Sequence, residues 1–511
     1  MPSSLIVWLF AALTSAAALR TSPISPAPLT VPAALHRTAP PLLLAKRKKP
    51  AKSAASKPAG FGAPTGFGAP TTATTKRKPP SVGSLEEKLV REHTTNCAAA
   101  KQIFAVCKGS AVGGYSEGWE RYETPADLVS PGNEPYGTRE LLLKSSGQLL
   151  SDSECDGLVD AMDAHSASRG WDQRYPLAGY TREVKVSDMP EALALLNASL
   201  ESKLLPAAAA TFGLEPSSLR VNEALVVKYD AVSGHNALPV HCDFSLLTLN
   251  VALSPRDDYE GGGTWFEHSG EVLLCGRGEG VLHPGGLTHC GVPVTRGTRH
   301  VLVLFLLSAT EPQLGGRLQA IGAAAGTKPQ FAGGTPRPPA DLALSCAALE
   351  RAVATNPCDA ESWSQLGHNR VHEKNHAAAE KCFAAAAKAS AGRSFAALCD
   401  CAAAQAAQDK HDDALATLRR ALELGAPPGP TAAAEVRAAR LQAATAMLEL
   451  SMYEEAGVAF DGVVEEDGDA LQAWAGLGVC MDALGQPEAA LSCQKQVLRI
   501  KLGSGGGNLG T

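Results

Sequence analysis

The segment from residue 240 to residue 307 most constrains what this chain can fold into. It contains an H-x-D pair, His241 and Asp243, and a second histidine, His289, 48 residues after the first. In an extended strand, residues i and i+2 point to the same side, so His241 and Asp243 would face one cavity while Cys242 faces away. Two imidazoles and one carboxylate on one face of an ion leave other positions open for cosubstrate and dioxygen. His241, Asp243 and His289 can therefore supply the ligand set that an open, mononuclear, redox-active iron site needs.

Apolar, β-rich stretches flank both halves of this predicted site. TLNVAL (248–253) follows the H-x-D pair, and RHVLVLFLL (299–307) follows the second histidine. Such runs favour strands that can be buried, so each ligand would lie beside a strand of the core. The three other histidines of the segment are predicted to be ordinary core or surface residues, namely His268, His283 and His300.

Several short motifs occur in a fixed order around these residues. They are VVKYD (226–230), HCD (241–243), NVALS (250–254), YEGGGTWFE (259–267), LHPGGLTH (282–289) and GVPVTRGTRHVLVLF (291–305). Together they resemble the double-stranded β-helix, or jelly-roll, core of the 2-oxoglutarate- and Fe(II)-dependent dioxygenases. Within that family, the likeness is to the prolyl 4-hydroxylase and procollagen-lysine hydroxylase group. It extends more loosely over residues 149–307, under a third of the chain.

The resemblance implies a role for each matching residue. His241, Asp243 and His289 would hold iron, Arg299 would pair with the distal carboxylate of 2-oxoglutarate, and Tyr229 would line the cosubstrate pocket. A guanidinium can bind a carboxylate through two charge-assisted hydrogen bonds, which agrees with that role. The implied reaction hydroxylates an unactivated C–H bond and releases succinate and CO2, and the likeness to this group also implies ascorbate dependence.

The rest of the 511-residue chain divides into regions of distinct composition, and its length predicts roughly three domains. The formal net charge of −6 provides no overall basic field for nucleic acid. Residues 1–19 form a signal-like segment that is too short to cross a bilayer. Residues 20–83 are basic and rich in Pro and Ala, include a GFGAP repeat, and are predicted to be disordered or a transit segment.

The N-terminal composition leaves the compartment open. A signal-like start followed by an acid-poor, hydroxyl-rich, basic tract resembles the two-part plastid presequences of algae with complex plastids. We therefore expect the secretory pathway or endoplasmic reticulum, or else a plastid, while KRKK (46–49) is also compatible with a nuclear signal.

Residues 84–148 are predicted to be an irregular lead-in with one short helix starting on a Ser84 cap. The predicted oxygenase domain covers 149–312, with bracing helices at 149–165 and 189–213, and residues 313–339 are predicted to be a linker.

Residues 340–502 carry the pattern of tetratricopeptide repeats. In the first repeat the signature positions are Trp363, Leu366, Gly367, Ala379, Phe383 and Ala386. The mid-repeat alanines at 379, 414, 456 and 490 are 35, 42 and 34 residues apart, and the longest interval contains the insertion GAPPGP. Each repeat is a helix pair that buries its apolar face only by stacking on its neighbour. A leading half-repeat (348–357) would cap the array, and 503–511 would be a flexible tail.

The predicted whole is a multidomain protein with a disordered N-terminal region, a jelly-roll oxygenase core and an all-α repeat solenoid. The predicted function is hydroxylation of a peptidyl proline or lysine with Fe(II) and 2-oxoglutarate, and the array would bind the protein or peptide substrate. Collagen-modifying relatives have their repeats before the core, whereas here the repeats follow it, so collagen-type substrates stay open. The alternatives are a small-molecule hydroxylase of the same family, or a repeat scaffold with an inactive barrel.

Overall fold

The structure is a computed structural model that describes residues 82–107, 119–123, 140–171, 181–211, 214–310, 316–326, 339–357 and 359–505. The predicted signal-like segment and all but the last two residues of the predicted disordered region lie outside the described residues. Within the described ranges, no helix is both long enough and apolar enough to cross a membrane.

The middle of the chain consists of antiparallel strands in two sheets. The strands are β1 Trp119–Glu123, β2 Glu140–Ser145, β3 Arg182–Lys185, β4 Leu219–Asp230, β5 Leu238–His241, β6 Leu247–Ala252, β7 Tyr259–Gly261, β8 Thr264–Phe266, β9 Glu271–Leu273, β10 Gly280–Pro284, β11 His289–Gly291 and β12 Val294–Ser308. The larger, eight-stranded sheet has the order β1-β2-β10-β6-β12-β4-β3, with β7 paired to β12. The smaller, four-stranded sheet has the order β5-β11-β8-β9.

The two sheets pack face to face. Phe266 and Leu273 of the four-stranded sheet form one buried cluster with Leu142 and Val281 of the eight-stranded sheet. Because side chains alternate along a strand, the other face of the eight-stranded sheet is free to bury a second core. The expected β-rich middle is therefore confirmed, while its assignment to the double-stranded β-helix stays a prediction.

Helices cover the outer face of the larger sheet. They are α1 Val82–Ile103, α2 Asp152–Arg169, α3 Pro190–Ser199 and α4 Leu205–Thr211, with a π-helical turn at Leu200–Leu204 between the last two. Leu158, Leu196 and Leu304 belong to the main core cluster between these helices and the sheet. Ser151 caps α2 and forms a reciprocal capping box with Glu154, as a Ser-capped start predicts.

The prediction for α1 was wrong in its bounds. The helix has 22 residues and begins at Val82, so Ser84 lies inside it instead of capping it. Leu85 and Leu89 are buried against α5 Arg317–Ala325 and the helix that follows it. Tertiary packing along this apolar face extends a helix for which the local sequence has only a weak start signal.

A second correction concerns the predicted linker at 313–339, which contains α5. This nine-residue helix buries Leu318 and Ile321 at 2% and 3% exposure. The apolar residues at i and i+3 give the helix a buried face although Gly- and Pro-rich sequence surrounds it. The segment is therefore partly an element of the core.

The C-terminal third is an array of antiparallel helices, as predicted. After α6 Leu342–Thr355 come four helix pairs: α7 Ala360–His372 with α8 His376–Ala389, α9 Phe395–Ala406 with α10 His411–Leu424, α11 Ala432–Glu449 with α12 Tyr453–Glu466, and α13 Leu471–Ala483 with α14 Pro487–Gly505. The helix α14 reaches Gly505, so the predicted tail begins at least three residues later than expected. Phe383 packs directly on Gly367, and Phe460 on Gly476, so the glycines allow close helix contact.

Candidate functional site

The four-stranded sheet brings the two predicted histidine ligands together. His241 ends β5, His289 begins β11, and the two residues are directly opposite in the antiparallel register. Their ring centroids are 4.4 Å apart. Asp243 lies two residues beyond β5, where its backbone N–H donates to the carbonyl of Gly285 at 2.8 Å. Strand pairing thus closes a separation of 48 residues in the chain.

The three side chains converge on one point. Nε2 of His241 is 3.6 Å from Oδ1 of Asp243, and Nε2 of His289 is 3.6 Å from Oδ2 of the same residue. All three ligand atoms lie within 4.8 Å of one another. Metal–ligand bonds of about 2.0–2.2 Å place adjacent donors about 3 Å apart, so a small contraction would suffice to coordinate one ion. Within the described residues, these side chains form the one such group of three or more potential ligands.

Backbone contacts orient both imidazoles. Nδ1 of His241 is 2.8 Å from the carbonyl oxygen of Pro239, and Nδ1 of His289 is 2.8 Å from that of Leu287. A carbonyl accepts only from a protonated nitrogen, so each Nδ1 carries a hydrogen and Nε2 is the nitrogen that faces the shared centre. This is the arrangement that metal-ligating histidines use.

A hydroxyl pair orients the carboxylate. Thr248 donates to Oδ2 of Asp243 at 2.7 Å, and Ser245 lies 2.8 Å from the Thr248 oxygen. All three side chains are buried. The hydrogen bond restrains the rotation of the carboxylate, so its remaining lone pairs stay directed at the two imidazoles.

The electrostatics favour the protonation states that a cation needs. Burial, reinforced by the nearby His289, lowers the pKa of His241 to about 4. Burial alone would raise the pKa of Asp243, but the nearby His289, His241 and His283 and the Thr248 hydrogen bond together lower it. At neutral pH the site therefore presents a neutral imidazole at His241 beside a carboxylate, ready to bind a metal without releasing a proton from either.

A third histidine and a phenylalanine form the wall behind the ligands. His283 is fully buried, and its ring centroid lies 4.7 Å from that of His289. Phe266 stacks on His289 at 5.6 Å and meets His283 edge-on at 5.0 Å. The sequence analysis treated His283 as an ordinary core histidine. No local signal marks its proximity, which arises because His283 pairs with Thr248 in the β10–β6 register.

Arg299 and Tyr229 lie together on the larger sheet. They are cross-strand partners on β12 and β4, and the guanidinium carbon is 5.1 Å from the centroid of the Tyr229 ring. Both are on the inner face, because Val301 and Val227, each two residues away, belong to a cluster there with Tyr229. A Cβ at Gly291 would lie 2.8 Å from the Tyr229 hydroxyl, so this pair is next to the strand that carries His289.

The Arg299 side chain has no carboxylate partner among the described residues. Arg299 is 7% exposed, its Nε has no hydrogen-bond acceptor, and among the described residues no carboxylate forms an ion pair with it. A buried cation without a counter-ion is costly, so such a side chain is suited to an anionic ligand. Burial raises the pKa of Tyr229, which keeps its hydroxyl neutral and able to donate. The chain thus offers three donors that could hold a metal ion and a separate buried guanidinium suited to an anion, and such a set fits iron with 2-oxoglutarate.

The GGG motif allows the close packing around this arginine. Gly262 has φ of 67°, a left-handed conformation that favours glycine. A Cβ there would lie 3.0 Å from the Tyr259 ring and 3.1 Å from Cδ of Arg299. The motif is therefore explained by backbone conformation and space, and it holds the arginine stem in place.

Comparison with curated proteins finds procollagen-lysine hydroxylases similar to part of this chain. A rat multifunctional procollagen lysine hydroxylase and glycosyltransferase, LH3, is 35% identical over 173 residues, covering 31% of this chain and 22% of that protein. Mouse procollagen-lysine,2-oxoglutarate 5-dioxygenase 1 is 41% identical over 87 residues, which cover 16% of this chain and 12% of that protein. A Drosophila melanogaster procollagen-lysine,2-oxoglutarate 5-dioxygenase is 32% identical over 174 residues, which cover 31% of this chain and 23% of that protein. The chain thus spans less than a quarter of the length of these relatives.

No family model matches the chain. Among solved structures, YrrB, a TPR protein with an unusual peptide-binding site, is 22% identical and covers 31% of this chain and 77% of its own, with a TM-score of 0.28. MamA is 15% identical and covers 33% of this chain and 88% of its own, with a TM-score of 0.29. Partial similarity to procollagen-lysine dioxygenases is thus established, and it indicates a dioxygenase.

Proposed function

We propose that this protein is an Fe(II)- and 2-oxoglutarate-dependent dioxygenase that hydroxylates a peptidyl residue. The observation that carries the proposal is the convergence of His241, Asp243 and His289 close to a buried arginine that has no counter-ion in the part of the chain that the structure describes. A site that binds only a metal does not need the arginine, and a site that binds only an anion does not need the three metal donors. The partial likeness to procollagen-lysine dioxygenases supports the same reaction class.

The residues of the chain would divide the work as follows. Two imidazoles and one carboxylate would hold iron, which with 2-oxoglutarate and dioxygen supplies the oxidising chemistry. Arg299 would bind the distal carboxylate through two hydrogen bonds, and Tyr229 would add a neutral donor beside it. His283 and Phe266 would exclude water from one side of the ligands. Positioning and a dry pocket are what the protein contributes.

The favoured substrate is a lysyl residue in a peptide, with a prolyl residue as the second choice. The relatives are named for hydroxylation of procollagen lysine. The repeat array would present the peptide, since helical-repeat surfaces are common protein binders. Ascorbate would sustain turnover, as the likeness to these hydroxylases implies.

The test is release of succinate from 2-oxoglutarate by the full chain with Fe(II), dioxygen and ascorbate. The wild-type chain should form succinate, while His241→Ala, Asp243→Ala and His289→Ala should each abolish it. Full activity in His289→Ala would remove that residue from the ligand set. If the wild-type chain formed no succinate and His241→Ala behaved identically, the chain would be a repeat scaffold with an inactive barrel.

Substrate identity needs a separate measurement. Peptides captured by the full chain would be incubated with the cosubstrates and examined by mass spectrometry for the gain of one oxygen atom. Oxygen on lysine or proline supports a peptidyl hydroxylase. Succinate release that no peptide stimulates, but a small molecule does, would favour the small-molecule alternative.

A further inference from the structure

The back of the metal-binding sheet is in contact with the repeat array. Cys290 follows His289 in β11, so its side chain points to the opposite face of the sheet. That side chain is fully buried, and its Sγ donates to the carbonyl oxygen of Pro428 at 3.5 Å. Pro428 belongs to the GAPPGP insertion that lengthens one interval of the repeats. The insertion therefore reaches the strand that carries a candidate metal ligand.

A second contact, at Glu267, connects the same two parts of the chain. Glu267 directly follows β8, is 3% exposed, and its backbone N–H donates to the carbonyl of Thr288 at 3.0 Å. The hydroxyls of Ser390 and Ser394, in the loop between α8 and α9, and that of Thr288 lie near enough to its carboxylate to lower its pKa. Glu267 thus lies beside the array on one side and is bonded through its backbone to the residue before His289 on the other.

The loop from the array interlocks with the turn after β8. A Cβ at Gly270 would lie 2.6 Å from the Arg393 guanidinium, so the arginine of the loop packs on the backbone of the turn. Arg393 also lies close enough to the buried His268 to lower the pKa of that imidazole, after burial itself. The contact therefore includes several residues from each side.

Burying a carboxylate here has a cost that hydroxyl groups reduce. A buried acid without hydrogen-bond partners is strongly unfavourable, whereas three hydroxyl groups can stabilise its charge. Burial and the nearby Glu361 raise the pKa of Glu267 to about 7, and the serine hydroxyls act in the opposite direction. An apolar residue would bury the same surface without this cost. The acid is therefore better explained by the specific hydrogen bonds it can make than by burial.

We propose that Glu267 is a positioning residue that fixes the metal-binding strand β11 to the repeat array, so that the array supports the metal centre of its own chain. The path runs from Ser390 and Ser394 through Glu267 to Thr288, which precedes His289. Phe266, next to Glu267, adds a second path because it stacks on His289. The metal-related half of this inference rests on the proposed function, and the contact itself does not.

A metal-free double-mutant cycle tests the contact. The free energy of unfolding of the full chain would be measured for Glu267→Ala, for the pair Ser390→Ala and Ser394→Ala, and for all three together. If the groups interact, the combined loss is smaller than the sum of the separate losses. Glu267→Gln, which keeps hydrogen-bonding atoms, should recover much of the stability lost in Glu267→Ala. As a control, Ser492→Ala, on an exposed position of α14, should be additive with Glu267→Ala. Additivity with the two loop serines overturns the proposal.

Cobalt binding tests the positioning role. Co(II) would be titrated into the full-length wild-type chain and into the variant with both loop serines changed, which leaves the strands and ligands intact. We expect the Co(II) dissociation constant to rise about threefold to tenfold, below the 10–100-fold typical of groups bonded directly to a ligand. Ser492→Ala should leave it unchanged.

The two experiments distinguish a contact that only attaches the array from one that also positions the metal ligand. Coupling in the cycle with an unchanged Co(II) affinity would overturn the positioning role and show that Glu267 only attaches the array. If the wild-type chain bound no Co(II), the proposed metal centre and the positioning role would both fall, and the cycle would still decide whether the contact exists.

Discussion

At Arg299, a buried charge with no counter-ion among the described residues defines what the side chain can bind. Its position on β12 beside Tyr229 leaves a planar, charged group on the inner face of the larger sheet, close to the strand that holds His289. The aromatic ring supports the guanidinium from one side, and a carboxylate in the pocket would complete its hydrogen bonding. The arginine is therefore expected to act on cosubstrate binding and not on the metal.

Replacing this arginine should weaken 2-oxoglutarate binding selectively. Truncating one partner of a buried, hydrogen-bonded charge pair costs about 2–5 kcal/mol, so Arg299→Ala should raise the KM for 2-oxoglutarate at least about thirtyfold. Arg299→Lys keeps the charge but loses the two-pronged contact, so its effect should be smaller. Steady-state kinetics with 2-oxoglutarate as the varied substrate measures the KM of each variant, and Co(II) titration measures metal binding. An unchanged KM in Arg299→Ala, or an equal loss of metal binding, would contradict this role.

Glu267 should make the stability of the metal-free chain depend on pH. Its pKa in the folded protein is about 7, above the 4.5 of an ordinary glutamate, so folding favours the protonated form. The stabilisation is complete below about pH 4.5 and is lost as the pH rises through 7, with a total change of about 3 kcal/mol. In Glu267→Gln this part of the slope should disappear.

Chemical denaturation of both proteins between pH 5 and pH 8 measures the difference. The contribution of Glu154, in the capping box of α2, depends on pH in the opposite direction. The pKa of Glu154 is lowered to about 2 because the bonds from Ser199, Ser151 and Lys203 outweigh its burial, so its contribution is present above pH 4.5 and is lost only in acid. Identical slopes for Glu267→Gln and the wild-type chain in the neutral range would contradict the assignment to Glu267.

At this scale, the spacing of residues predicted part of the site. Period-two alternation placed His241 and Asp243 on one side, and motif order singled out His289 and Arg299; the structure brings the first three together, and their roles as ligands stay predictions. Thr248 and His283 could not be found in this way. Each contacts the ligands through strand register, and a single sequence does not specify which strands pair.

Among the helices and strands, the repeats were the most predictable part. An alanine recurs in the second helix of each pair, at positions 379, 414, 456 and 490, and this spacing predicted the four pairs from α7 to α14. Helix α5 was missed because nine residues in a Gly- and Pro-rich context have little periodic signal. Its burial depends on α6, the next helix, and on α1, which ends more than 200 residues earlier in the chain.

Glycine substitutions should show that close helix contact holds each repeat together. In α7, a Cβ at Gly367 would lie 2.5 Å from the Phe383 ring, whereas a Cβ at Gly462 in α12 would meet nothing within 4 Å. Gly367→Ala should destabilise the chain by about 1–3 kcal/mol through overpacking. Gly462→Ala should stabilise it by up to about 1 kcal/mol, because alanine has the better helix propensity. Thermal unfolding of the two variants measures both signs, and a Gly367→Ala variant as stable as the wild-type chain would contradict the packing.

The whole molecule joins a β-rich middle and a helical array, which have different sources of stability. The β-rich middle depends on pairings between distant strands, and the array depends on neighbouring helices, so the local sequence predicted the array better than the sheets. The contacts at Glu267 and Cys290 join these parts across 120 residues or more, and no periodicity in the sequence marks them. If the proposed positioning role holds, the array supports the same sheet that carries the candidate metal ligands.

The iron content of the full chain tests the central claim most directly. After anaerobic reconstitution with Fe(II) and removal of the excess, the wild-type protein should retain about one iron per chain, as one set of three ligands allows. His241→Ala and Asp243→Ala should each retain little, while Arg299→Ala should retain as much as the wild-type chain. Iron that is absent from the wild-type protein, or retained equally by the ligand variants, would contradict the account.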